Sequence, residues 1–122
     1  VSAAEMIVGD IPDVTAVSIG WHDSPEDAQQ EIRDAIDRVE KGRGTVILTD
    51  MFGGTPSNLS LTFLETNRVE IVTGVNLPML IKLVGLREQE QLSLLEVARH
   101  AYSQGKESIY LASDLLSSKN GQ

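Results

Sequence analysis

The run "TVILTD", residues 45–50, is apolar almost without interruption and ends in a carboxylate. A strand with one wet face alternates apolar and polar residues, whereas a strand without alternation is covered on both faces. This run therefore points to a parallel sheet with helices over it. The flanking segments fit. In "SPEDAQQEIRDAIDRVEKG", Ser24 is an N-cap, Pro25 suits the first helical position and Asp27 completes a box-like pattern. Ala28, Ile32, Ala35, Ile36 and Val39 share one helical face, and Gly42 ends the helix. Thr55-Pro56 opens a helix through Leu59, Phe63 and Leu64; "VEIVTG", 69–74, is a further strand; "LPMLIKLVGL" begins another helix with Pro78 near its first turn. Ser93 and Glu96 predict a capping box for "LLEVARHAYSQ", which Gly105 closes. Three weaker segments complete the pattern: the end of a helix in "SAAEMIVG", stopped by Gly9, a strand in "VTAVSIG" (14–20) and a last short strand in "SIYLAS" (108–113).

Strands and helices alternating at this spacing predict βαβ units. The expected fold class is α/β: a doubly wound, mainly parallel open sheet with helices on both faces. The length of 122 residues suggests a single domain over 1–116, with "SSKNGQ" (117–122) as a loose tail. Right-handed crossovers put the strand-to-helix loops at the carboxyl edge of the sheet, where such folds bind ligands. The loops "GWHDSPE", "DMFGGTPSN" and "GVNLPM" land there.

The second of these loops carries chemistry. Asp50 ends a buried strand, Gly53 and Gly54 permit close backbone approach, and Thr55-Pro56 opens a helix whose N–H groups favour an anion. A carboxylate beside an anion cradle suits phosphoryl transfer: the cradle holds phosphate oxygens and the carboxylate orients a nucleophile. The plainer reading, a turn with a good cap, stands beside it. Neither the Walker spacing nor GxGxxG is present. The net charge of −8 argues against nucleic acid or anionic membrane as partner. The chain has no cysteine, hence no disulfide and no thiol chemistry, and its greasiest stretch is short and carries Lys82, so no membrane insertion is expected. No signal peptide is visible; the chain opens without an initiator Met, inside what reads as a helix. One histidine near one aspartate is not a ligand set, so no metal is predicted, and no cofactor is needed.

"AAEMIVGD", "ILTDMFGGTPSN" and "VTGVNLPML" together resemble the IIA domain of mannose-type bacterial phosphotransferase systems. They occur in the family's order and spacing, and the likeness covers nearly the whole chain. The resemblance implies a cytoplasmic phosphocarrier that accepts a phosphoryl group on a histidine from the small histidine phosphocarrier protein. It then passes the group to a IIB partner that phosphorylates a sugar. It also implies a homodimer with the last strand exchanged between subunits. Asp50 matches the carboxylate that hydrogen-bonds the active histidine, fixing its tautomer and leaving the other nitrogen to attack phosphorus. Gly53, Gly54 and Thr55 match the holders of the phosphoryl oxygens, with Ser57 and Asn58 as alternative donors. Val75, Asn76, Leu77 and Pro78 match a second loop lining the pocket; Asn76 is equally suited to capping its own helix. Phe52 stands where some members carry a larger aromatic; it walls the site or docks a partner, with packing in the core as the plainer reading. Glu5 and Met6 match the family's first helix.

In the family the acceptor histidine sits in a "THG"-like loop at the end of a strand preceding that helix. By comparison about seventeen residues are missing, a strand and most of a helix. The 122-residue chain alone is therefore expected to accept no phosphoryl group. Of its own histidines, His22 lies in a loop at the correct edge and is a secondary candidate acceptor, with a solvated loop residue as the plainer reading; His100 falls on a polar helix face with Glu96, Arg99 and Ser103. Three other readings stay open: a regulatory module sensing phosphorylation state, a phosphocarrier subunit of a dihydroxyacetone kinase, and a flavodoxin-like small-ligand binder.

Overall fold

The computed structural model describes residues 13–18, 24–50 and 55–119. Helix α1 spans Pro25–Val39. The Ser24 hydroxyl accepts from the Asp27 N–H at 3.1 Å, Pro25 occupies the first turn, and Glu26 and Asp27 face the positive end of the helix dipole. Ala28, Ile32 and Ala35 form its buried face. After the helix the Glu40 carboxylate receives the N–H groups of Gly42 and Gly44 and the Thr45 hydroxyl. This closes the turn into strand β1, Thr45–Thr49.

β1 pairs in parallel with β2, Val69–Thr73, in the register Thr45↔Val69 through Thr49↔Thr73. The strands thus end level with each other. Between them lies α2, Thr55–Leu61. After β2 come α3, Leu77–Leu86, and α4, Leu94–Glu107. α4 packs on both strands and α3 packs on α4; α2 packs on both strands and on α1. The core gathers Val72, Met79, Leu83, Ala98 and Ala101, with Val46, Leu48, Val75 and Val97 against it. The alanines let α3 and α4 approach closely, and Ala101 is fully buried. The Arg43 guanidinium donates to the carbonyls of Arg87 at 2.8 Å and Gln89 at 2.9 Å, supplying partners just past the end of α3. The capping box of α4 forms in both directions: the Ser93 hydroxyl accepts from the Glu96 N–H, and the Glu96 carboxylate from the Ser93 N–H. No helix among the described residues is long and apolar enough to cross a membrane.

The architecture is α/β, as expected, with a two-stranded parallel sheet among the described residues. Several expectations need correction. Residues 14–18 of the expected strand 14–20 belong to neither helix nor strand, and Thr15, Ala16, Val17 and Ser18 are exposed. β-branched residues form a strand only where a sheet edge receives them, and none of the described residues pairs with these. Residues 108–113 are not a strand either. Ile109, Tyr110 and Leu111 are 74%, 66% and 66% exposed, and the chain winds instead into α5, Ala112–Lys119. Leu111 supplies the first carbonyl of that helix, to the Asp114 N–H at 3.0 Å, and Asp114 suits its first turn. α5 thereby runs into the segment read as a tail. α2 stops at Leu61, short of Phe63 and Leu64, where Thr62, Phe63 and Leu64 donate to carbonyls three residues back. Gly105 does not close α4, which continues to Glu107; it is buried within the helix. The segment "SAAEMIVG" lies outside the described residues.

Candidate functional site at the carboxyl edge of the sheet

β1 ends at Thr49, one residue short of the expected strand 45–50, and Asp50 follows it in a bend with its side chain exposed. The adjacent strand ends level with it, at Thr73, and passes into a turn. Gly74 sits at φ 88°, a conformation open to glycine at little cost, and its N–H and that of Val75 both donate to the Thr49 carbonyl, at 2.8 and 2.9 Å. Two amides of the second loop are thus fastened to the residue bonded to Asp50. Thr49 itself is buried, and its hydroxyl has no hydrogen-bond partner among the described residues.

Asn76 follows this turn and is the N-cap of α3. Its Oδ1 accepts from the Met79 N–H at 3.1 Å, and its Nδ2 donates to the Gly105 carbonyl at 2.9 Å. Both ends of the side chain are engaged, so the reading of Asn76 as a cap takes form alongside a second bond that sequence reasoning does not contain. Gly105 makes the approach possible: a Cβ there would stand 2.6 Å from Met79 Cε and 3.3 Å from Asn76 Oδ1. Leu77 is exposed at the start of α3, and Val75 and Pro78 are half-buried.

Of the other residues named from sequence, Thr55 and Ser57 fall in the first turn of α2 and Asn58 is exposed in the same helix. Phe52, Gly53, Gly54, His22, Glu5 and Met6 lie outside the described residues. His100 is exposed on α4, away from the carboxyl edge in sequence and next to Glu96 in charge: the Ser93 N–H first, and His100 last, hold the Glu96 carboxyl below its ordinary range. A cavity of about 690 Å³ runs along β1; Thr49, Asp50, Ser60 and Val75 are among its lining residues, with Ile32 of α1 and Leu83 of α3. No group of acidic or histidine side chains that would hold a metal ion occurs among the described residues.

An exposed carboxylate thus follows β1 level with the turn that follows β2, at the edge where open α/β sheets bind ligands. The chain belongs to the family described as PTS system fructose IIA component, whose model matches residues 1–101. That makes it an EIIA-type component of a sugar phosphotransferase system. It is 29% identical over 112 residues to the "PTS system fructose-specific EIIA component" of Bacillus subtilis, covering 91% of this chain and 75% of that one. It is 34% identical over 84 residues to the "PTS system sorbose-specific EIIA component" of Lacticaseibacillus casei, covering 66% of this chain and 58% of that one. The crystal structure of phosphotransferase system component EIIA from Streptococcus agalactiae matches in fold, with a TM-score of 0.79 at 24% identity over 93% of this chain and 86% of that one.

Proposed function

We propose that the domain is a phosphoryl carrier: a histidine accepts a phosphoryl group from the histidine phosphocarrier protein and passes it to a IIB partner during sugar uptake. The observation that carries this reading is the exposed Asp50 carboxylate at the end of β1, level with the turn at the end of β2. In the proposed step an imidazole nitrogen attacks phosphorus in line, a new N–P bond forms, and the N–P bond to the donor's histidine breaks. The other ring nitrogen donates its hydrogen to Asp50, which holds the reactive tautomer and stabilises the imidazolium. Transfer between two nitrogens then runs on positioning and hydrogen bonds. The residues 53–58 are the proposed cradle for the phosphoryl oxygens, through Gly53, Gly54, Thr55, Ser57 and Asn58. Phe52, Val75, Leu77 and Pro78 are the proposed walls where partner proteins dock.

The acceptor in this proposal is the histidine of the strand that, in the resembling family, precedes the segment matched by Glu5 and Met6. The domain works on the cytoplasmic side, where the carriers meet, and as a homodimer. The test is phosphorylation of the full-length protein by the phosphorylated carrier. One acid-labile phosphoryl group per chain is expected on the upstream histidine, and none on residues 1–122 alone. Equal labelling of the 122-residue chain at His22 would move the acceptor to that loop. Phosphorylation that alters binding of another protein but never reaches a IIB partner would favour the regulatory module instead.

A further inference from the structure

We propose that Asn76 is a positioning residue of the transfer site, holding the turn beside Asp50 against the end of α4; this rests on the carrier reading above. A helix N-cap needs only an oxygen, and serine, threonine or aspartate serve as well as asparagine. The Oδ1 of Asn76 does that work for Met79. Its Nδ2 is superfluous to capping, yet it is spent on the Gly105 carbonyl, 29 residues away in sequence. That carbonyl belongs to the last turn of α4, where helix carbonyls run out of main-chain donors. The N–H groups of Ser108 and Ile109 go instead to Gln104 and Lys106. The bond is therefore specific at both ends.

What it fixes lies one and two residues upstream. Gly74 and Val75 clasp the Thr49 carbonyl, and Thr49 is bonded to Asp50. The path from the helix layer to the carboxylate is short and made of a few directional contacts: one bond from Asn76 to Gly105, two from the turn to Thr49, then the chain itself to Asp50. Reacting groups must be held to within about 0.5 Å, which an exposed carboxylate on a free strand end does not achieve by itself. Gly105 is buried in the middle of this arrangement because any side chain there would crowd both Asn76 and Met79.

Two substitutions approach the bond from opposite sides. Asn76→Ser keeps a neutral capping oxygen but is too short to reach Gly105. Gly105→Ala crowds Met79 Cε first and Asn76 Oδ1 after it, while leaving the Asn76 side chain itself intact. In the full-length protein, amide hydrogen exchange at Gly74 and Val75 should accelerate by about tenfold or more in both variants, with Leu86 at the far end of α3 unchanged. The rate of transfer from the phosphorylated carrier should fall about three- to thirtyfold, while the carrier concentration giving half-maximal rate stays put. Exchange at the wild-type rate in both variants would overturn the tie. Faster exchange with unaltered transfer would overturn its positioning role. A wild-type protein that accepts no phosphoryl group refutes the carrier reading itself, and the exchange measurement then reads the tie separately.

Discussion

Asp50 is exposed, so its carboxylate is available to a partner group without being essential to the core. Replacing it with alanine should slow phosphoryl transfer by roughly ten- to a thousandfold, the loss of one orienting partner. The same change should leave thermal unfolding within about 0.5 kcal/mol of the native protein. Rapid-quench transfer kinetics and a melting curve on one preparation check both halves; a variant that unfolds would make Asp50 structural. Glu40 is the opposite kind of carboxylate. Burial pushes it up, but the N–H groups of Gly42 and Gly44, the Thr45 hydroxyl and the Lys41 N–H together hold it below its ordinary range. A carboxyl lowered by folding stabilises the native state above its unfolded pKa, and this is lost as pH falls through the lower folded value. Glu40→Gln should therefore cost about 0.5 kcal/mol near neutrality, since solvent screens much of the charge, and close to nothing in acid. Denaturant titrations at both pH values measure it; an equal difference at both would rule out the charge as the cause.

Elements with a local chemical signature were legible from sequence: Ser24 and Ser93 as caps, the apolar run of β1, and the turn after β2. Ser93→Ala should destabilise the protein by about 1 kcal/mol, since it breaks the capping box of α4; urea unfolding reads the change. Elements that depend on a distant edge were not legible. Residues 14–18 and 108–113 have strand-forming composition, but composition does not say whether a neighbouring strand is placed to receive them. Gly105 illustrates the same limit at one position. A glycine near the end of a helical pattern reads as a stop, yet here it serves the close passage of Asn76 and Met79. At the site, Asp50 and the capping oxygen of Asn76 could be placed from their own neighbourhoods. The Asn76–Gly105 bond and the double use of the Thr49 carbonyl join separate parts of the chain, and nothing local announces them.

At the scale of the molecule, Ile109, Tyr110 and Leu111 stand exposed, followed by Leu115 and Leu116. Such a run invites pairing with a second copy, the homodimer proposed above. Light scattering at micromolar concentration should give twice the chain mass, and placing glutamate at both Ile109 and Leu111 should shift it to one. A wild-type monomer under those conditions would refute the assembly. The level ends of β1 and β2 act as a ruler for the whole carboxyl edge. An alanine inserted between Leu48 and Thr49 would carry Asp50 about 3.3 Å further along and turn it to the opposite side of the sheet. The same insertion after Glu90, in an exposed loop, would change neither. Length variation in this protein should accordingly be tolerated in the loop between α3 and α4 and forbidden along the strands, because a one-residue slip there dismantles the site even where the core could repack.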